Sequence, residues 1–147
     1  MFKRILVPLD LSEEDMSNRT MAIAEDMAAR YGAVLDVLTV VPTYTMSIVG
    51  AAFPRNFEET ALEAVRQRLK SMLDAREDSG VTVRGHVAHG TIYDEIMKVA
   101  NRLGCDLIVM TSHRPELKDY LLGPNAARVV RHARQSVFVI RDGVEGA

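Results

Sequence analysis

Leu107-Ile108-Val109-Met110 is a run of four apolar residues with no polar interruption. A strand with one wet face alternates apolar and polar residues. A run without alternation is a strand buried on both faces, the habit of parallel sheets covered by helices on each side. Parallel neighbours need long crossover connections, usually helical, so this one stretch requires the rest of the chain to alternate strands with helices.

The chain meets that requirement. Ile5-Leu6-Val7-Pro8-Leu9 reads as a first strand that stops pairing at Pro8, which has no ladder N–H, and leaves Asp10 at its carboxyl end. Ser12-Glu13-Glu14-Asp15 has the Ser-x-x-acid form of a capping box. Thr20, Ile23, Ala24, Met27, Ala28 and Tyr31 then follow at helical spacing up to Gly32. Val34 to Val41 is a second strand, closed by Pro42. Residues 43–56 carry Met46, Ile48, Val49 and Phe53 without a period, as expected of a lid or mobile loop. A helix from Phe57 or Glu58 to Asp78 is marked by the stripe Leu62, Val65, Leu69 and Met72, and Gly80 ends it. Val81 to Val87 alternates, as an edge strand does. Thr91-Ile92-Tyr93-Asp94 repeats the Ser/Thr-x-x-acid start, for a helix with Ile92, Ile96, Val99 and Leu103 inward and Gly104 at its end. After the organising strand, Gly123-Pro124-Asn125 opens a helix whose apolar side is Ala126, Val129, Val130 and Ala133. Ser136 to Arg141 is a final strand, and 142–147 a tail.

The order β-α-β-α-β-α-β-α-β predicts one α/β domain over residues 1–147, with right-handed crossovers and helices on both faces of a parallel sheet. Ligands of such sheets bind past the carboxyl ends of the strands, where strand order reverses. If the first and fourth strands flank that point, Asp10 faces the loop that begins at Thr111. The fourth strand, its loop and the Gly123 helix start together form an anion-binding arrangement of free N–H groups and helix dipole.

Composition removes several function classes. A net charge of -2 argues against a general nucleic-acid binder, and no stretch approaches the apolar length of a membrane helix. The apolar run after Met1-Phe2-Lys3-Arg4 is too short for a signal peptide, and a lone Cys105 rules out an internal disulfide. The expectation is a soluble cytoplasmic protein. There is no Walker P-loop, G-x-G-x-x-G or G-x-S-x-G, and no nucleophile stands beside an evident base. His86 and His89, three apart on one strand, would point to opposite faces and make no metal pair. His132 suits the negative end of the last helix, and Cys105 suits packing. Asp10 is either a ligand carboxylate, for a ribose hydroxyl or an adenine amine, or a cap of the next helix. His113 is either a phosphate donor or a solvated loop residue, and Arg114 is a phosphate fork or a solvated cation. Binding fits these residues better than catalysis.

Taken together, Arg4-Ile5-Leu6-Val7-Pro8-Leu9-Asp10, Leu38-Thr39-Val40-Val41-Pro42, Gly90, Cys105-Asp106-Leu107-Ile108-Val109-Met110 and the closing stretch Arg131 to Arg141 resemble the universal stress protein family over essentially the whole chain. The resemblance implies a doubly wound, five-stranded parallel sheet of the adenine nucleotide alpha hydrolase-like kind, strand order 3-2-1-4-5. It also implies a homodimer through the C-terminal strand and, as in many members, ATP in the crevice, with or without Mg²⁺. Carried across, Pro8, Asp10 and Val40, with Leu9, would surround adenine and ribose. Met110 would end the fourth strand, and Gly123, Asn125 and Ala126 would meet the phosphates, with Thr111, His113, Arg114 and Pro124 completing the set. The family motif G-x-x-G-x9-G-[ST] is altered: Thr111 and Arg114 replace its first two glycines, eight residues separate Arg114 from Gly123, and Pro124 replaces the Ser/Thr. Ser112-His113-Arg114-Pro115 with Tyr120-Leu121-Leu122-Gly123-Pro124-Asn125-Ala126 resembles instead a subgroup typified by S-H-R-P…Y-L-L-G-S-N-A. Three functions follow as expectations. The first is a stress-response protein using an adenine nucleotide as regulatory ligand. The others are a nucleotide-free dimeric adaptor for a protein partner and, last, a slow ATPase.

Overall fold

The computed structural model describes residues 1–42, 57–76, 78–112 and 123–141. Five strands, β1 (Arg4–Pro8), β2 (Val34–Pro42), β3 (Val83–Gly90), β4 (Leu107–Ser112) and β5 (Ser136–Arg141), form one sheet in the order β3-β2-β1-β4-β5. Every pairing is parallel, so the expected strand order and class are observed. Helices α1 (Glu14–Tyr31) and α2 (Phe57–Asp74) cover one face, and α3 (Ile92–Leu103) and α4 (Pro124–His132) cover the other.

Side-chain alternation along each strand divides the core in two. Ile5, Val7, Leu35, Val37, Leu107 and Val109 pack under α1 and α2, against Met21, Ala24, Ala28 and Leu69. Leu6, Leu38, Ile108 and Met110 pack under α3 and α4, against Ile96, Val99, Ala126 and Val129. Both faces of β4 are therefore buried, which is why its sequence does not alternate. The edge strand β3 is only partly covered, as its alternation predicted.

Strand order reverses between β1 and β4, and these two strands pair only at Ile5↔Leu107 and Leu6↔Ile108. Beyond that point β1 runs to Pro8 and β4 to Ser112 without a common register, so the sheet opens a crevice at its carboxyl edge.

Local details differ from expectation in instructive ways. Ser12 does not cap α1: Glu13 is the N-cap, without a side-chain bond, and Ser12 gives its amide and hydroxyl to Asp10 Oδ1 at 3.0 and 2.6 Å. A cap would use the Ser12 hydroxyl as an acceptor of helix N–H groups, whereas the Asp10 carboxylate two residues away takes it as a donor in a charge-assisted bond, so the local turn prevails. Thr91 is the N-cap of α3, but its carbonyl, not its hydroxyl, takes the Glu95 N–H at 2.9 Å. Helix α2 ends at Asp74 rather than Asp78, because Arg76 turns to Glu25 of α1 and Asp78 accepts from Gly80 N–H in a separate turn. Strand β3 begins at Val83 and continues to Gly90, beyond Val87, since β2 runs on to Pro42 and keeps pairing with it. Val130 is outward and 46% exposed, because no described residue covers that side of α4, whereas Ala126 and Val129 are buried. Two glycines have backbone reasons: Gly104 closes α3 at φ 68, and Gly90 turns from β3 toward α3 at φ 155. The expectations for 43–56 and 142–147 lie outside the described residues. Among those described, no helix is long and apolar enough to cross a membrane.

Candidate functional site

The crevice holds a cavity of about 440 Å³, within the usual range for small-molecule sites. It is lined from both halves of the sheet. Pro8, Leu9 and Asp10 come from the end of β1, and Leu38, Thr39, Val40 and Pro42 from β2. Met110, Thr111 and Ser112 close β4; Gly123, Asn125 and Ala126 begin α4. Glu13, Met16, Ser17 and Thr20 reach in from α1, and Ile92 and Ile96 from α3.

Backbone chemistry comes first. Strand β1 pairs with β2 as far as Pro8↔Leu38, and Leu9 N–H adds one bond to the Leu38 carbonyl at 2.8 Å. Past that bond β2 continues beside β3 alone. Residues of a parallel strand turn their N–H and C=O to alternate sides, so Val40, two beyond Leu38, directs a donor and an acceptor past the end of β1. That pair matches the edge of a flat heteroaromatic ring. Leu38, Ile96, Met110 and Ala126, with Val40 and Ile92 packed on them, give the apolar wall on which such a ring can lie.

At the other end stands the start of α4. Gly123 is its N-cap, extended at φ -65 and ψ 160, and its N–H donates to Ser112 Oγ at 2.8 Å, tying the helix start to the end of β4. Pro124, at the first helical position, has no N–H, and the first intrahelical bond is Ala127 N–H to the Gly123 carbonyl at 2.9 Å. The amides of Asn125 and Ala126 precede it in the ladder and have no partner within the helix, the arrangement that suits an anion.

Asp10 is exposed at the crevice mouth. Its Oδ1 holds Ser12, its carbonyl accepts from Glu13 N–H and Ser17 Oγ, and its Oδ2 takes no bond from a described residue. Asp10 therefore does not cap α1, whose N-cap is Glu13; its side chain organises the turn that precedes the helix.

Of the twelve residues singled out in the sequence, nine line this one cavity: Pro8, Leu9, Asp10, Val40, Met110, Thr111, Gly123, Asn125 and Ala126. Pro124 stands at the helix start without lining it, and His113 and Arg114 lie outside the described residues. Sequence reasoning missed Ser17, Thr20 and Thr39, which are buried hydroxyls, and the apolar contribution of Ile92 and Ile96. Nothing marks a strand threonine as a cavity residue until the end of its neighbouring strand is known.

A second polar cluster lies away from the cavity, near the amino ends of the strands. Asp36 is wholly buried and accepts from Arg4 Nε at 2.5 Å, Arg4 Nη2 at 3.0 Å and His86 Nε2 at 2.7 Å. Burial works to raise its carboxyl, but hydrogen bonds and charge from Arg4 and His86 outweigh it and hold it below the ordinary value. Asp106 anchors the same end, accepting from Lys3 and Arg4 N–H. Cys105 is buried, and burial together with the Asp36 charge pushes its thiol up to about 11, so it is packing rather than a reactive group. His89 meets Glu58 of α2 at 2.9 Å while His86 turns to Asp36, so the two histidines serve opposite faces of β3 as expected. Among the described residues no group of three His, Cys, Asp or Glu could hold a metal ion.

Comparison with known proteins decides the family. The model of the universal stress protein family matches residues 1–141. The chain belongs to that family. It is 34% identical over 143 residues to universal stress protein G of Shigella flexneri, covering 96% of this chain and all of that one. Among solved structures, protein MJ0577 of Methanocaldococcus jannaschii superposes with a TM-score of 0.80 at 24% identity, covering 97% of this chain and 98% of that one. A universal stress protein in complex with cAMP superposes with a TM-score of 0.59 at 22% identity, covering 95% and 97%. As the sequence resemblance anticipated, the family's sheet, with order 3-2-1-4-5, is the sheet observed.

Proposed function

We propose that this universal stress protein binds an adenine nucleotide, ATP or a close relative, in the crevice as a regulatory ligand. The observation that carries the reading is the sequence of chemistries along one cavity. An apolar wall runs beside the backbone edge at Val40, Asp10 follows at the mouth, and the amides of Asn125 and Ala126, without a partner inside the helix, stand at the far end. A base, a sugar and a phosphate group ask for those surroundings in that order. Pro8 and Leu9 close the base end, Met110 and Thr111 flank the passage, and Gly123 sets the helix start. The fold neighbour solved with cAMP is an instance of this fold holding an adenine nucleotide.

The described lining contains Asp10 and Glu13 and no cation, so the phosphate end relies on the α4 amides and dipole within the described residues. Arg114 and His113 stand next in sequence to Ser112 and are proposed to supply charge there. In the described lining the Ser17 and Thr20 hydroxyls donate to backbone carbonyls and Ser112 Oγ accepts from Gly123 N–H, so none of the three is paired with a base, which favours a sensor over an enzyme and leaves ATP hydrolysis, if any, slow. The protein is proposed to work as a homodimer in the cytoplasm. Among the described residues strand β5 is a sheet edge with no strand beyond it, and Phe138 is 44% exposed; a second copy can cover both.

Gly123→Val tests the site. Gly123 has a backbone conformation open to any residue, so the substitution fills space beside the cavity without straining the turn. Nucleotide-stripped wild type is expected to gain thermal stability on titration with ATP, and Gly123→Val to need at least about tenfold more ATP for the same gain. An unchanged response in Gly123→Val would place the ligand elsewhere. Absence of any shift in the wild type would transfer the function to protein contacts.

A further inference from the structure

The helices on the two sides of the sheet treat their cations differently. On the α1/α2 side, Arg30 is answered by Asp26, Arg66 by Glu63, Lys70 by Asp74 and Arg76 by Glu25, while Arg68 donates to the Leu11 carbonyl. On the α3/α4 side, Lys98 reaches Glu95 at 3.4 Å. Arg102, Arg128, Arg131 and Arg134 are exposed, and none meets a carboxylate among the described residues. Helix α4 itself contains no Asp or Glu.

This arrangement works against the helices. Lys98 and Arg102 are four residues apart and Arg128 and Arg131 three apart, spacings at which like charges repel and weaken a helix. The dipole favours a cation in a last turn, as Arg30 in α1, which has Asp26 one turn before it. That accounts for Arg102 and Arg131. It does not account for Arg128 in the middle of α4, or for Arg134 beyond its end. The face is also held in shape. Arg128 lies 4.0 Å over the Tyr93 ring, Tyr93 meets the His132 ring at 6.1 Å, and Gln135 Nε2 donates to Asn101 Oδ1 at 2.9 Å. These ties join α3 to α4, and groups ordered in advance lose less freedom on binding.

The residue type points to the partner. Of Lys98, Arg102, Arg128, Arg131 and Arg134, all but the first are arginines. A guanidinium grips a carboxylate through two parallel N–H bonds, and protein interfaces favour Arg over Lys. Lys serves a nucleic-acid backbone or an anionic membrane as well as Arg does, and the chain's net charge of -2 opposes both.

We propose that the joined outer face of α3 and α4 docks an acidic segment of a protein partner, whose carboxylates are taken by Arg102, Arg128, Arg131 and Arg134. None of these arginines lines the crevice, so this docking stands apart from nucleotide binding.

The probe is a short dye-labelled peptide of alternating glutamate and serine, read by fluorescence anisotropy at low ionic strength. Arg102→Gln/Arg131→Gln is compared with Arg19→Gln/Arg30→Gln, which removes the same charge from exposed positions on α1. Wild type is expected to bind the peptide, with affinity falling as salt is added. The first pair should weaken binding at least about tenfold and the second by less than about twofold. Equal losses in the two variants would mean that net charge, not this face, attracts the peptide, and would overturn the proposal. So would a wild type that does not bind it. Tighter binding of oligothymidylate or of phosphatidylserine vesicles than of the peptide would give the face to nucleic acid or membrane instead. Arg102→Gln/Arg131→Gln is expected to melt within about 2 °C of wild type. A fall of several degrees with unchanged peptide affinity would reduce the arginines to helix-end complements and also overturn the assignment.

Discussion

Replacing Asp36 by Asn removes one charge from the amino-terminal part of β2, where the side chain has no access to water. The carboxylate accepts three hydrogen bonds, two from Arg4 and one from His86. An amide of the same shape has one acceptor oxygen, so its NH₂ group must confront a donor. Breaking a buried ion pair from one side costs about 3–5 kcal/mol when the partner is left buried. Here the partners are not fully buried: the side chains of Arg4 and His86 are 26% and 23% exposed and can recover some hydration. The expected loss is therefore at the lower end, about 3 kcal/mol. For a chain of this size that lowers the melting temperature by about 6–12 °C. The acid side supplies a second signature. Because the folded-state carboxyl is held below its ordinary value, its stabilisation is present above the unfolded pKa of about 3.9 and is lost as pH falls through the folded value. Urea unfolding of both proteins, followed by circular dichroism from pH 7 downward, should show a constant gap near neutrality that closes only below the ordinary carboxylate range. A gap under about 1 kcal/mol at pH 7, or one that persists unchanged into acid, would refute the reasoning.

Other sites give independent tests. A Cβ on Gly90 would sit 2.6 Å from Glu95 Oε1, at a φ of 155 that side chains rarely adopt, so Gly90→Ala should cost about 1–3 kcal/mol in urea unfolding; a neutral result would show the turn to be slack. Cys105 is 6% exposed and its thiol is pushed up to about 11, so a thiol reagent at pH 7.5 should label it only as fast as the protein unfolds, and rapid labelling of the native state would contradict the packing role. Phe138→Asp on the open edge should convert the proposed dimer to monomer by light scattering while leaving the melting curve of the fold recognisable; a dimer that survives places the contact on another surface.

Much of this fold was legible because buried parallel strands suppress alternation. Leu107 to Met110 announced a doubly covered strand, and the helices declared themselves through stripes such as Ile92, Ile96 and Val99. Positions set by competition between neighbours were not legible. Ser12 looked like a helix cap, but its hydroxyl donates to the Asp10 carboxylate instead; α2 looked four residues longer than its bond-forming part, because Arg76 and Asp78 have better partners outside the helix. The cavity followed from the family resemblance at nine positions, while its buried hydroxyls, Ser17, Thr20 and Thr39, did not. Thr39 becomes a cavity residue through the point at which β1 stops, a fact of register rather than of residue type. Asp36 stood in plain view within an apolar strand, yet its partners Arg4 and His86 are 32 and 50 residues away and come together only through strand order.

The central claim is that the crevice is an adenine-nucleotide site whose phosphate end still works with Pro124 at the helix start. Calorimetric titration of nucleotide-stripped protein with ATP and with AMP, Mg²⁺ present, tests it most directly. Saturable binding of ATP at one site per chain, tighter than that of AMP, is the predicted result, because the Asn125 and Ala126 amides act on the phosphates that AMP lacks. No heat with either nucleotide, over concentrations reaching the millimolar range, would contradict the claim.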